Sequence, residues 1–310
     1  SLVKVDIPDS VATINGLTFS RCTSLKSIIL PPLITIIKFN LFNGCSALEK
    51  VIIPSTVESI GNRSFANCIS IEEIVIPSSV RIINSYAFFG CTSLSQITIP
   101  SSVEKILSFA FAKCPSLSKI SILNSGVFFG EKVFHDCVSV EISGISAVHK
   151  KLFRGSMIKQ LTIQSPIEFI GNNSFKDCAY LENITIPSSV YSIHCHAFEN
   201  CYHLKSLIIP PLVTKIKTGT FQNCTSITEI TIPSSVTIIK NHAFANCRSL
   251  QQVTIPSSVS SIGGNAFLNC SSLNEITIPS HVTAIKSNTF NGCSSLKEIT
   301  IPSSVTSIGN

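Results

Sequence analysis

The chain has 310 residues, 44% of them apolar and only 13% charged, with a formal net charge of +6. No apolar run reaches the roughly 18 residues of a membrane helix, since the most apolar stretch, Ile28 to Phe42, is interrupted by Pro31, Pro32 and Lys38. Lysine and arginine form none of the dense runs that mark nucleic-acid or membrane tails, so the composition argues against both partner classes.

From the N-terminus, Leu2 to Ile14 already matches the second half of a repeat, and the chain stops in mid-repeat after Ile301 to Asn310. It is therefore expected to be a segment of a longer protein whose caps, signal or further domains lie elsewhere. From Cys22 a unit of 23 residues recurs: cysteine returns at Cys45, Cys68, Cys91, Cys114 and Cys137, and again from Cys178 through Cys201, Cys224, Cys247, Cys270 to Cys293. Three residues before each of these twelve cysteines stands a phenylalanine, from Phe19 to Phe290. The clearest copy, Cys247 to Asn269, places Cys247, Leu250, Val253, Ile255, Val259, Ile262, Ala266 and Phe267 among serine, glutamine, asparagine and threonine.

Within that copy, Leu250 to Ile255 predicts a short strand, Pro256 to Ser258 a corner, and Val259 to Ile262 a second extended piece. Gly263 is expected to take a positive φ, and Asn265 to Asn269 to form one helical or 3₁₀ turn. A single unit buries too little to fold alone, so its stability must come from stacking on its neighbours, as in solenoids. The Phe column predicts a stacked core spine. The Cys column reads as buried reduced thiols: parallel stacking holds neighbouring Cβ atoms at about 4.8 Å, beyond disulfide reach, and no C-x-x-C spacing suggests zinc.

Residues 123 to 166 break the pattern. The 41-residue step from Cys137 to Cys178 is read as a full coil of 23 and a shortened coil of 18, with Gly155 in the cysteine column. This stretch lacks the Pro-Ser-Ser-Val corner and concentrates charge in Lys132, His149, Lys150, Lys151, Arg154 and Lys159. In a regular array each coil offers nearly the same surface, so this interruption is the candidate contact for an acidic partner. Further on, His194, Cys195, His196 and His203 fall within ten residues; a soft metal site is conceivable there, but chance enrichment on a variable surface column is the favoured reading. Five N-x-S/T sequons, at Asn62, Asn172, Asn183, Asn223 and Asn269, match what chance gives in so Ser- and Thr-rich a chain. No Asp/Glu and His constellation for catalysis is visible, and neither cofactor nor metal is expected. One outward strand column reads Ile29, Ile52, Val75, Thr98 and Ser121, then Thr162, Thr185, Ile208, Thr231, Thr254, Thr277 and Thr300, with its apolar members gathered near the N-terminus.

The string I-T-I-P-S-S-V-T-S-I-G-N, joined to A-F-x-x-C-x-S-L, closely resembles the leucine-rich repeats of the BspA-like, or Treponema pallidum type, family over nearly the whole chain. The fold class expected is an α/β repeat solenoid: a right-handed superhelix of about thirteen coils forming one domain over residues 1–310. It has a parallel sheet on the concave face and turns or short helical turns on the convex one. The resemblance implies a non-enzymatic surface or secreted adhesin that binds a host-surface or extracellular-matrix protein. The alternative is an intracellular scaffold, favoured by thirteen cysteines without a plausible pairing scheme.

Overall fold

The computed structural model describes residues 2–164 and 166–310, the side chain of Ser139 excepted. The β-branched pairs of each repeat form very short parallel strands whose partners lie one repeat away. The chain divides into two compact units, Ser1–Ile145 and Ser146–Asn310.

In the first unit, Lys4–Val5, Ser27–Ile29 and Lys50–Ile52 pair in parallel, with Ile28 opposite Val51. Gln96–Ile99 pairs with Lys119–Ile122, which pairs with Ser139–Ser143. A second ladder takes one pair from each coil: Ile36–Ile37, Ser59–Ile60, Ile82–Ile83, Lys105–Ile106 and Phe128–Phe129. In the second unit Gln160–Ile163 pairs with Asn183–Thr185, and Glu229–Thr231 with Gln252–Thr254. There the second ladder includes Lys215–Ile216, Ile238–Ile239 and Ser261–Ile262. Each unit is thus a parallel β-solenoid of stacked coils.

The inward column of phenylalanines forms the predicted spine. In the second unit Phe175, Phe198, Phe221, Phe244 and Phe267 stack with ring centroids 5.1 to 5.7 Å apart and planes within 11°. These rings are fully buried, as are Leu250, Val259 and Ala266 of the clearest repeat.

The expected helical turns are not there: no helix occurs among the described residues, so the fold is all-β rather than α/β. The reason lies in the backbone amides. After Ile37, the amides of Asn40, Phe42 and Gly44 donate to Asn62, Ser64 and Ala66 of the next coil at 2.7 to 2.8 Å. The intervening amides of Leu41, Asn43 and Cys45 turn back three residues, to Lys38, Asn40 and Phe42. Every second donor is therefore spent on the neighbouring coil, and no i to i−4 ladder can grow. Two residues per coil also hold a left-handed conformation, for example Asn40 (φ 51°) and Gly44 (φ 77°), or His242 (φ 57°) and Asn246 (φ 60°), which a right-handed helix cannot include. Gly263 is not one of them. Its amide donates to Ile239, and a Cβ there would collide with the backbone nitrogen of Asn241, so it is glycine for close approach rather than for φ.

The shortened coil is also phased differently from the expectation. Phe153 stacks on Phe175 at 5.4 Å and supplies a thirteenth member of the Phe column. The buried Ser156 then takes the cysteine position, its amide donating to Phe153 as the Cys178 amide does to Phe175. Gly155 (φ 67°) holds the left-handed position before it. Counting back a full repeat from Cys178 misplaces the column by one, because the coil that starts at Ser156 is itself one residue short.

Candidate functional site

Since strand side chains alternate inward and outward, the surfaces open to a partner are the outward strand columns and the edges of the turns. In the first unit Ile29 and Ile52 are in register across a parallel pair, and Val75 holds the same position one coil on. These three are 64%, 45% and 80% exposed. Thr98 continues the column as an exposed polar residue. In the second unit the position is threonine except at Ile208.

The basic residues singled out in the sequence do not all gather. Lys132 belongs to the first unit, in a left-handed position (φ 55°), with Nζ 5.8 Å from the ring centre of Phe109. The other five belong to the second unit. His149, Lys150, Lys151 and Arg154 share one turn run, while Lys159 directly precedes the strand Gln160–Ile163 on the strand side of the coil. His149 is half-buried, its ring edge-on to Phe169 at 6.2 Å, and burial pushes its pKa below the usual imidazole value. Lys150 is exposed. Arg154 Nε lies 3.3 Å from Asp177 Oδ2, so that charge is already answered. One coil further, Glu199 Oε2 receives Lys176 Nζ at 2.6 Å and stands 2.9 Å from His196 Nδ1. This edge is a mixed-charge network in which Lys150 is an outward cation.

Two further features of the turn edges escaped the sequence reading. The first left-handed column holds asparagine at Asn40, Asn173, Asn265 and Asn288, but in successive coils of the first unit it holds Arg63, Tyr86, Phe109 and Lys132. Their side chains stack: the Arg63 guanidinium lies 4.9 Å over the Tyr86 ring, which is 5.0 Å from and parallel to Phe109, with Lys132 beyond. The signal was present in the asparagines and Gly219 of this column, residues that tolerate positive φ, but the column was read only as variable surface. The second feature is an amide ladder in the second unit. Asn200 Nδ2 donates to Asp177 Oδ1 at 2.7 Å, Asn223 to Asn200 at 2.6 Å, Asn246 to Asn223 at 2.7 Å and Asn269 to Asn246 at 2.9 Å. Two of the five sequon asparagines, Asn223 and Asn269, are thereby engaged; Asn172 Oδ1 accepts the Cys195 amide at 3.1 Å, and Asn62 and Asn183 are exposed.

The histidines near Cys195 go separate ways. His194 packs against Phe169 at 5.6 Å, His196 faces Glu199, and His203 Nδ1 lies 2.7 Å from the Ala179 carbonyl. No group of three metal-ligating side chains comes together among the described residues. All thirteen cysteines are free thiols. Along the column from Cys45 onwards each thiol donates to the phenylalanine carbonyl one coil earlier, as Cys201 does to Phe175 and Cys247 to Phe221, both at 3.2 Å. Burial pushes Cys114 and Cys178 up to about 12, so the thiolate needed for nucleophilic chemistry does not form near neutrality.

Stacked coils are the architecture shared with known proteins. A family model described as BspA type leucine rich repeat region matches overlapping segments, 1–106, 58–178, 104–228, 146–274 and 214–310, which together span the chain. A crystal structure of a leucine-rich repeat protein from Bacteroides ovatus is 27% identical, covers 99% of this chain and 83% of its own, and superposes with a TM-score of 0.70. The pneumococcal vaccine antigen PcpA is 22% identical over 92% of this chain and 74% of its own, with a TM-score of 0.50. A leucine rich cell surface protein from Faecalibacterium prausnitzii is 25% identical over 93% of this chain and 82% of its own, with a TM-score of 0.43. No curated protein matches. With the model spanning the sequence and the fold built of the same stacked coils, the chain belongs to the BspA type leucine-rich repeat family.

Proposed function

We propose that the chain is the recognition part of a surface or secreted protein, that its coils act as one leucine-rich-repeat domain, and that it binds a host-surface or extracellular-matrix protein without catalysis. The observation that supports this reading is the division of labour within each coil. Inward positions repeat as Phe, Cys, Leu, Val and Ile, and their polar groups bond to neighbouring coils, whereas outward positions vary from coil to coil. Of the basic residues, His149, Lys150, Lys151 and Arg154, which share one turn edge of the second unit, enter the proposal as a contact for an acidic partner, led by the exposed Lys150.

The thirteen free thiols favour a second reading, an intracellular scaffold. The burial of ten of them weakens that argument, because thiols held protonated and hydrogen-bonded resist oxidation wherever the protein resides. Two measurements separate the readings: labelling of intact cells with an antibody to the chain, and biolayer interferometry of the purified chain against immobilised matrix proteins. Surface labelling with saturable binding is expected. Labelling only after permeabilisation, with no binding to any matrix protein, would leave the scaffold. Within the recognition reading, reversing Lys150, Lys151 and Arg154 to glutamate weakens binding more than reversing Lys26, Lys205 and Lys297; equal loss in both sets removes the basic contact.

A further inference from the structure

We infer that the strand face of the first unit around Ile29, Ile52 and Val75 docks a cationic amphipathic helix of a partner protein; the inference rests on the recognition reading above. Three observations meet there. First, in three successive coils a position that is threonine or serine through most of the chain carries large β-branched apolar side chains, all exposed. Solvated strand faces prefer threonine at such a position, so an in-register apolar ladder is surface set aside for burial by something else. Second, an open cavity of about 640 Å³ lies over the same residues, lined by Ile52 and Val75 together with Glu49, Lys50, Glu72 and Glu73. A neighbouring depression of about 390 Å³ continues it past Val75 to Thr98 and Leu123, the last 62% exposed.

Third, the charge reverses locally. Three exposed carboxylates face one ammonium there, on a chain whose net charge is +6. Other exposed carboxylates are paired across coils, Glu104 with Arg81 at 2.9 Å and Glu182 with Lys205 at 2.8 Å. Glu49, Glu72 and Glu73 have no cation within ion-pair distance among the described residues. The partner segment that fits is therefore apolar along one stripe and basic beside it.

Spacing selects a helix over a strand. Successive coils are about 4.8 Å apart, and an α-helix rises about 5.4 Å per turn, so residues at i, i+3 or i+4, and i+7 meet Ile29, Ile52 and Val75 in turn. In an extended peptide, same-side residues are about 6.7 Å apart and fall out of step by the third coil. Lysine stems flanking the helical stripe reach the carboxylates while covering apolar surface. The isolated Ile208 of the second unit offers no such site: it stands between Thr185 and Thr231, and the nearby Lys205 is paired with Glu182.

The test uses the whole chain and two model peptides four helical turns long, one of leucine and lysine at amphipathic spacing and one with glutamate in place of lysine, read by fluorescence anisotropy at physiological salt. The expected result is saturable binding of the leucine–lysine peptide and markedly weaker binding of its acidic counterpart. Ile52→Thr with Val75→Thr, which installs the residue used elsewhere in the column, should weaken binding about tenfold or more, and Glu49→Gln with Glu72→Gln and Glu73→Gln should flatten its salt dependence. Ile208→Thr should leave it unchanged. Equal binding of the two peptides, no binding of either, or wild-type affinity in the Ile52→Thr/Val75→Thr variant with an unchanged thermal midpoint overturns the inference. Matrix-protein binding, measured on the same samples, reports separately on the recognition reading: if it persists while peptide binding is absent, only this site is lost.

Discussion

A phenylalanine carbonyl in this fold receives two donors. Phe175, for instance, takes the amide of Cys178 at 3.1 Å and the thiol of Cys201 at 3.2 Å. Cysteine suits the position because it is small and apolar yet carries a weak donor. Replacing Cys201 by alanine removes that donor and opens a small cavity, and should cost about 1–2 kcal/mol in urea denaturation. A loss within error of zero would show the thiol to be filler only. Burial pushes Cys45 up from 9.0 to about 11 and Cys114 and Cys178 to about 12. Because these thiols hold their protons more tightly folded than unfolded, their contribution is complete below pH 9 and is lost as the pH climbs towards 11 to 12. The thermal midpoint in reducing buffer should therefore be level from pH 7.5 to 8.5 and fall steeply above 9; a level profile to pH 10.5 contradicts this. At the left-handed Asn223 (φ 62°), glycine should be tolerated better than alanine by about 1 kcal/mol, since both break the amide ladder but only alanine strains the backbone. The inward columns were legible in the sequence because burial shows as a fixed residue type at a fixed phase. The donors were not, because each partner is a carbonyl one coil away.

Among the elements, the Pro-Ser-Ser-Val corner was read correctly as a turn, and the structure adds what its second serine does. The Val259 amide closes the corner on Pro256, while Ser258 Oγ donates to the Val236 carbonyl of the preceding coil at 2.7 Å. Ser235, Ser189 and Ser102 repeat that bond. Ser258→Ala should cost about 1 kcal/mol. Conversely, Leu212 is 54% exposed at the equivalent place in the Pro-Pro-Leu-Val coil, so Leu212→Ser should be neutral or stabilising; a thermal midpoint that drops as far as in Ser258→Ala contradicts the assignment. The helical turn expected at Asn265 to Asn269 failed because local propensity does not register that half the amides are claimed by the next coil. The shortened coil was misphased for a related reason: counting by cysteines cannot see that Ser156 stands in for one, whereas Phe153 marks the phase directly.

For the molecule as a whole, inward side chains build the stack, and on the proposed function the outward ones are left for recognition. The repeat made the solenoid legible, since each coil must be covered by another like it. The candidate surfaces were legible only in part. Lysines close in sequence, such as Lys151 and Lys159, land on different sides of a coil, while Arg63, Tyr86, Phe109 and Lys132, a full repeat apart, form one stack. The division between building and recognising residues is tested most directly by a single variant that alters both outward surfaces: Ile29, Ile52, Val75 and Ile208 become threonine, Glu49, Glu72 and Glu73 become glutamine, and Lys150, Lys151 and Arg154 become glutamate. Its thermal midpoint and its binding to the immobilised matrix proteins would be measured side by side with the wild type. The account predicts a midpoint within a few degrees of the wild type together with loss of binding; unchanged binding, or collapse of the midpoint, would contradict it.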